Sequence, residues 1–266
     1  MRRWGPVHPV IQIRTDPGWF APRLEEDLLS HPVSGPGPAG GLIFDLFHTL
    51  TPAPSRVELP AHTSALLGIP RARWEQALFS ETRARLTGQV REPLAILHDI
   101  TDRIDAGFSD QQLTAVALER ARRFEVMLTA IPAETLDTLA ELRRRGWSLA
   151  LLSNADAMEA APWPRSPLAP LFHRALFSCD IGCAKPEPES YRLALDALEL
   201  PAERCWFLGD GGSNELLGAR EAGLCTILVS EVLEELWPER LSVRRRQADF
   251  QVRRLAELLQ PGSPLG

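Results

Sequence analysis

The sequence predicts an α/β fold, with a Rossmann-like parallel sheet, helices on both faces of the sheet and an inserted all-helical domain. Short apolar runs alternate with helical patterns from about residue 129 onward. Several of these runs lead directly into polar or charged residues. Between the first two runs, a stretch of about 70 residues shows only helical periodicity.

Length and composition narrow the class of protein. The 266 residues can hold one large α/β domain, or a core domain with a smaller insert. The net charge of −6 and the pI near 5.6 argue against a nucleic-acid binder dominated by phosphate contacts. The four cysteines form no C-x-x-C pair, so we expect small buried hydrophobic residues rather than a metal or disulfide site.

The location is predicted to be cytoplasmic. No apolar stretch approaches the roughly 18 to 20 residues of a membrane span. Prolines and polar residues interrupt the region where a signal peptide would need its apolar segment. We therefore expect no membrane partner.

Residues 1–40 are rich in proline and glycine and are predicted to form an extension outside the fold. Such a composition buries too little apolar area to hold a compact structure by itself. Within it, residues 22–29 could form one short amphipathic helix that docks on the core.

The first predicted strand is the apolar run 42–44, which ends at Asp45 and is followed by the hydroxyl of Thr49. Open parallel sheets bind ligands at the carboxyl ends of their strands, so Asp45 is the first candidate site residue. Two prolines then break regular structure, and apolar residues recur at helical spacing up to residue 128. The predicted domains are the extension 1–40, a core over 41–54 and 129–266, and a helical insert over 55–128.

From residue 129 onward, helices and strands alternate, which implies a parallel sheet with right-handed crossovers. Ser153, Lys185 and Asp210 each lie at or shortly after the end of a predicted strand. Together with Asp45 they are expected to converge on one edge of the sheet. Predicted strands cover 147–152, 175–178, 205–208 and 225–229, and predicted helices cover 132–145, 189–198 and 214–222.

Four segments in this order carry a family resemblance. They are FDLFHTL (44–50), LALLSN (149–154), GCAKPEPE (182–189) and FLGDGGSNELLGAREAG (207–223). Together they resemble the motifs of the haloacid dehalogenase superfamily, over about residues 41–260. One such motif alone would be weak evidence for the family, whereas four motifs in this order with suitable spacing are specific evidence for it. The resemblance identifies the insert with that family's helical cap, and residues 248–250 and 255–259 with its last strand and helix.

The resemblance implies phosphoryl transfer through a covalent intermediate. Asp45 would attack phosphorus and form an aspartyl-phosphate that water then hydrolyses. Ser153 would hydrogen-bond a phosphate oxygen, and Lys185 would neutralise both the nucleophile and the transferring group. The substrate would be a small phosphorylated metabolite.

The same resemblance implies a Mg²⁺ site. Asp45, the backbone carbonyl of Phe47 and Asp210 would hold the cation, with water and a phosphate oxygen completing an octahedron. Glu215 falls where relatives often have a second Asp, and it would bind through water or orient a ligand.

Three further residues are candidates for substrate contacts. Asn154 and Thr49 would line the site because each lies within one of the motifs. Arg85 precedes a glycine in the insert and suits an anionic substrate if its loop faces the core. Asp156, in contrast, is expected at the surface.

The sequence departs from the phosphatases of this superfamily at Phe47. They usually carry there a second Asp that protonates the leaving group and activates water, and a phenyl ring moves no proton. One interpretation is a metal-dependent phosphoryl hydrolase whose proton comes from elsewhere, either from His48 or from a residue of the cap.

Two other interpretations stay open. In a 2-haloacid dehalogenase, Asp45 would displace halide from carbon without a metal, and such relatives have an aromatic residue at the position of Phe47. Against it, Asp210 and Glu215 would repel a carboxylate substrate. The other interpretation is a catalytically weak member kept for binding a ligand or a protein, with Phe47 as its only support.

Overall fold

The computed structural model describes residues 40–104 and 107–265, so the predicted helix over 22–29 lies outside the described residues. Its core is a six-stranded sheet with the strand order β3-β2-β1-β4-β5-β6. The strands are β1 (Gly40–Phe44), β2 (Trp147–Ser153), β3 (Arg174–Phe177), β4 (Cys205–Gly209), β5 (Cys225–Val229) and β6 (Phe250–Val252).

Strand β1 lies in the middle of the sheet, and all of its residues are buried, as in parallel strands covered by helices on both sides. It pairs with β2 and with β4, so that Phe44 lies opposite Leu151 and Leu208. The remaining strand pairs are parallel as well. The carboxyl ends of the strands therefore meet at one edge of the sheet, where Asp45 follows β1 directly.

The described residues contain twelve α-helices. They are α1 (Thr63–Leu66), α2 (Arg71–Phe79), α3 (Arg83–Leu86), α4 (Pro93–Thr101), α5 (Asp110–Thr129), α6 (Ala133–Arg144), α7 (Ala157–Ala160), α8 (Ser178–Ile181), α9 (Pro188–Leu198), α10 (Glu215–Glu221), α11 (Glu231–Leu236) and α12 (Leu241–Gln247).

Two hydrophobic clusters cover the two faces of the sheet. Leu42 and Phe44 belong to one cluster and Ile43 to the other, because successive side chains of a strand point to opposite faces. Helix α6 contributes Leu139 to the first cluster, and α9 contributes Tyr191 to the second. The predicted parallel sheet with helices on both faces is therefore confirmed.

The helical insert has a hydrophobic cluster of its own. Trp74 of α2, Ile100 of α4 and Leu113 of α5 are fully buried in it. Ala157 and Met158 of α7, which belong to the core segment after β2, also join this cluster. Among the described residues of 55–128 no strand interrupts the helices, in agreement with the helical periodicity.

The insert contacts the core beside the segment that carries Lys185. Arg83 pairs with Glu187 at 2.6 Å. Gly88 adopts the left-handed conformation with φ of 73°, and a Cβ at this position would overlap the carbonyl of Cys179. A glycine is therefore required for this close approach.

Three expectations from the sequence are wrong in detail. Cys225 is exposed, while the other three cysteines are buried as predicted. Asp156 is fully buried rather than at the surface. The last strand, β6, begins two residues later than predicted and is followed by a 3₁₀ helix, Leu255–Leu259.

Within the described ranges, no helix combines the length and apolar character needed to cross a membrane.

Candidate active site

Asp45 is fixed at the edge of the sheet, and both of its carboxylate oxygens accept hydrogen bonds. Its backbone N–H donates to the Leu208 carbonyl of β4 at 2.8 Å. Lys185 Nζ donates to Oδ1 at 2.6 Å, and the Thr49 hydroxyl donates to Oδ2 at 3.0 Å. Thr49 therefore contacts the candidate nucleophile, and its predicted contact with a substrate stays a prediction.

Lys185 is a buried cation between two carboxylates. Its Nζ lies 2.6 Å from Oδ1 of Asp45 and 2.6 Å from Oε2 of Glu215. Burial alone would lower the pKa of Lys185, but the charges of Asp45 and Glu215 outweigh it and raise the pKa above its ordinary value. Lys185 therefore carries a positive charge at neutral pH.

Ser153 is the last residue of β2, and Asn154 follows it at the same edge of the sheet. Asn154 Nδ2 donates to the Lys185 carbonyl at 2.8 Å, and Asn154 Oδ1 accepts from the Lys185 N–H at 2.8 Å. Asn154 thus fixes the backbone that carries the lysine. The Ser153 hydroxyl is buried and has no hydrogen-bond partner within the described part of the chain. Because an unpaired buried hydroxyl is costly, this group suits a ligand oxygen.

Asp210 and Glu215 bring two more buried carboxylates next to Asp45. The three residues each offer one oxygen, and these oxygens all lie within 4.8 Å of one another. The Gly211 N–H donates to Oε1 of Glu215 at 3.0 Å, and the Gly212 N–H donates to Oδ1 of Asp210 at 2.8 Å. Burial, and next the charge of Asp45, raises the pKa of Glu215 above its ordinary value.

The three carboxylates suit a hard divalent cation such as Mg²⁺, which prefers carboxylate oxygens as ligands. Their oxygens are close enough to share one ion. Burial concentrates their negative charge in a region of low dielectric constant, where a cation would relieve the repulsion. The residues present therefore fit the predicted cation, and the Phe47 carbonyl stays a predicted ligand.

Phe47 occupies the position at which the phosphatases of the resembled superfamily usually carry a second Asp. Its ring packs against Phe124 of α5 with the ring centroids 5.9 Å apart, so it forms an apolar contact between core and insert. The backbone of the next residue, His48, is left-handed with φ of 64°. The His48 ring packs edge-on against Trp237 at 5.0 Å. Its role as a substitute proton donor stays a prediction.

Arg85 is buried inside the insert. Its Nε donates to Asp99 at 2.7 Å, and a terminal nitrogen donates to the Leu78 carbonyl at 2.5 Å. Another terminal nitrogen lies 4.0 Å from Asp156. These contacts favour a structural role, and the predicted substrate contact of Arg85 stays untested.

A buried ion-pair network between the insert and the core was not predicted from the sequence. Arg120 of α5 donates to Asp156 and to Glu159, both at 2.9 Å. Asp156 also caps α7 by accepting hydrogen bonds from two backbone N–H groups of that helix. Arg120 follows the buried residues Val116 and Ala117 by four and three positions, and this helical spacing could have indicated its burial.

A second missed residue is Arg244 of α12, which contacts Asp210. One terminal nitrogen donates to Oδ2 of Asp210 at 2.8 Å and to its backbone carbonyl at 2.9 Å. In the sequence, Arg244 begins a run of three arginines, a pattern typical of an exposed helix end. No local signal distinguishes it from its neighbours.

A family model described as haloacid dehalogenase-like hydrolase matches residues 40–223. The chain belongs to this family. A phosphoserine phosphatase of Thermus thermophilus is 29% identical over an alignment 252 residues long, gaps included, which covers 82% of this chain and 99% of that protein. The family predicted from the four motifs is therefore confirmed, and the chain is an enzyme of the hydrolase class.

Two solved structures share the fold of this haloacid dehalogenase-like hydrolase. The L-2-haloacid dehalogenase of Xanthobacter autotrophicus, with chloropropionic acid covalently bound, has a TM-score of 0.57 at 19% identity and covers 84% of this chain and 99% of its own. A HAD family enzyme of Bacteroides thetaiotaomicron, in complex with magnesium and inorganic phosphate, has a TM-score of 0.53 at 21% identity. It covers 73% of this chain and 94% of its own.

Proposed function

We propose that this hydrolase is a Mg²⁺-dependent phosphatase that acts on a small phosphorylated metabolite through an aspartyl-phosphate on Asp45. One observation carries the proposal: Asp45, Asp210 and Glu215 offer oxygens within 4.8 Å of one another, and Lys185 lies 2.6 Å from Asp45. The phosphatase of Thermus thermophilus supports the same class of substrate. The cytoplasmic location stays a prediction.

In the proposed reaction, a carboxylate oxygen of Asp45 attacks phosphorus as the bond to the leaving-group oxygen breaks. Lys185 stays protonated and offsets the negative charge of Asp45 and of the phosphoryl group. The buried Ser153 hydroxyl donates a hydrogen bond to a phosphoryl oxygen. Water then hydrolyses the aspartyl-phosphate, which releases phosphate and regenerates Asp45. Mg²⁺ bound among the three carboxylates would supply further charge neutralisation.

Phe47 restricts the substrates that suit this reaction. Because a phenyl ring cannot protonate a leaving group, the reaction favours substrates whose leaving group departs as an anion. Acyl and aryl phosphates meet this condition better than simple alkyl phosphates.

A screen of phosphorylated metabolites, each with and without Mg²⁺, tests the proposed function. The wild-type protein should release phosphate from at least one substrate only when Mg²⁺ is present. Asp45→Asn is the matched control because it keeps the shape of the side chain and removes the nucleophile. Phosphate release by the Asp45→Asn protein at the wild-type rate would contradict the proposal.

A second candidate function is a metal-free 2-haloacid dehalogenase, and the packing of Phe47 favours it. The rings of Phe47 and Phe124 place an apolar contact two residues after Asp45, which suits a carbon chain better than a phosphate ester. Asp45 would then displace halide from the substrate carbon and form an ester, which water hydrolyses. Chloride release from 2-chloropropionate without added metal would support this candidate. If neither phosphate nor chloride is released, the result would support the third interpretation, a catalytically weak protein kept for binding a ligand or a protein.

A further inference from the structure

Arg244 enters the carboxylate cluster from α12, a part of the core that the proposed reaction does not use. It donates to Oδ2 and to the backbone carbonyl of Asp210, at 2.8 and 2.9 Å. The side chains of Arg244 and Asp210 are only 10% and 7% exposed, so water screens this ion pair weakly. Because Asp210 is one of the carboxylates proposed to hold the cation, Arg244 and the cation would share a ligand.

Packing on two sides holds Arg244 in this position. Gly211 is left-handed with φ of 82°, and a Cβ at Gly211 would lie only 3.0 to 3.1 Å from three stem carbons of Arg244. The stem therefore fills the space that the glycine leaves. The guanidinium carbon also lies 5.8 Å from the centre of the Trp237 ring, within the range of a cation–π contact.

The formal charges indicate what Arg244 does to the cation site. Arg244 makes the site one unit more positive, because it adds a second positive charge, beside that of Lys185, to the three carboxylates. The buried positive charge of Arg244, this close to Asp210, opposes the binding of a divalent cation to the same carboxylate.

We propose that Arg244 is a positioning residue that holds Asp210 when no divalent cation is bound and weakens the binding of the free cation. A phosphoryl group in the site adds negative charge and restores the attraction for Mg²⁺. Cation and phosphorylated substrate therefore bind cooperatively. This inference rests on the proposed Mg²⁺ site and goes beyond it by assigning the residue that sets its affinity.

Calorimetric titration of the full-length, chelator-treated protein with MgCl₂ tests this role, at low ionic strength and without phosphate. Arg244→Gln removes the positive charge and keeps an N–H donor for Asp210. We expect the Kd for Mg²⁺ to fall about tenfold in this variant. Beryllium fluoride should tighten Mg²⁺ binding more in the wild type than in the variant, because the wild type gains more from added negative charge.

Arg240→Gln is the matched control. Arg240 lies over the same Trp237 ring, at 5.9 Å, but its side chain is 58% exposed and pairs with Glu239. Its Mg²⁺ affinity should equal that of the wild type. If Arg244→Gln fails to fold, Arg244→Met keeps an apolar stem against Gly211 and should show the same tightening.

Tighter binding is diagnostic, because a merely structural loss would weaken the site. Equal or weaker Mg²⁺ binding by the folded Arg244 variant overturns the inference, and the proposed phosphatase still stands if the wild type binds Mg²⁺. Binding by the variant alone supports the inference, and the wild type should then bind Mg²⁺ once beryllium fluoride is added. No binding by either protein, with or without beryllium fluoride, overturns both proposals.

Discussion

Thr49 donates to the carboxylate oxygen of Asp45 that Lys185 does not contact. The two donors together fix the orientation of the carboxylate, because each of its oxygens has a different partner. A residue that orients the nucleophile acts on kcat, whereas a residue that binds substrate equally in the ground and transition states acts on KM. Steady-state kinetics can therefore tell whether Thr49 acts through its observed contact with Asp45 or through the predicted contact with a substrate.

Replacing Thr49 by Val removes the hydroxyl and keeps the shape of the side chain. We expect kcat to fall roughly ten- to hundredfold with KM nearly unchanged, since one hydrogen bond to a charged group is lost. Thr49→Ser keeps the hydroxyl and should retain most of the activity. Steady-state kinetics on the best substrate of the screen make the measurement. A raised KM with an unchanged kcat would instead assign Thr49 to substrate binding.

The sequence could place Asp45, Lys185 and Asp210 together because each follows the carboxyl end of a strand in a parallel sheet. The family resemblance alone placed Glu215 beside them. Their mutual distances could not be predicted, since these depend on loop conformation. Arg244 could not be placed, because it lies on a helix between β5 and β6. The alternation of strands and helices does not determine which residues of that helix lie near the carboxyl ends of the strands.

At the scale of elements, a buried ion-pair network joins helix α5 of the insert to α7 of the core. Arg120 pairs there with Asp156 and Glu159. Arg120→Met leaves both acids without this partner and should lower the free energy of unfolding by about 3 to 5 kcal/mol. Urea denaturation followed by circular dichroism measures the change.

Arg122→Met is the matched control for this prediction. Arg122 lies on the same helix, is 71% exposed and pairs with Glu119 at 3.2 Å. Its loss should change the free energy of unfolding by less than about 0.5 kcal/mol. Equal stability of the two variants would show that the Arg120 network does not hold the insert on the core.

The same network makes stability depend on pH through Glu159. Burial, and next the charge of Asp156, raises the pKa of Glu159 from 4.5 to about 7. Between these values the folded protein binds more protons than the unfolded chain, so its free energy of unfolding falls as pH rises.

Glu159→Gln removes this titration. The wild type should lose about 3 kcal/mol relative to Glu159→Gln between pH 4.5 and 8. Urea denaturation of both proteins across this range makes the comparison, and titrating groups far from Glu159 cancel in the difference. Parallel stability curves for the two proteins would contradict the raised pKa of Glu159.

Strand boundaries could be predicted to within a residue or two where apolar runs are bounded by polar ends, and β5 is Cys225–Val229 as predicted. Strand β6 begins late for a reason that lies outside its own sequence. The Asp249 carboxylate accepts from the N–H and the hydroxyl of Thr226, each at 2.9 Å. A side chain thus takes the place of backbone pairing, and pairing begins at Phe250.

At the scale of the whole molecule, the fold class followed from the alternation of strands and helices, because parallel connections allow few alternative topologies. The contacts that attach the insert to the core could not be predicted from this alternation. It depends on contacts between residues far apart in sequence, such as Arg83 with Glu187 and Phe47 with Phe124. We propose that the insert acts as a cap, since these contacts lie beside two segments of the candidate site.

The central claim is that Asp45, Asp210 and Glu215 share one cation beside a nucleophilic carboxylate. Thermal unfolding with Mg²⁺ and beryllium fluoride, a mimic of the phosphoryl group, tests it most directly. At about 100 times the Kd, the wild-type Tm should rise by roughly 5 °C or more. Asp45→Asn and Asp210→Asn should show no rise. An unchanged wild-type Tm, or an equal rise in both variants, would contradict the claim.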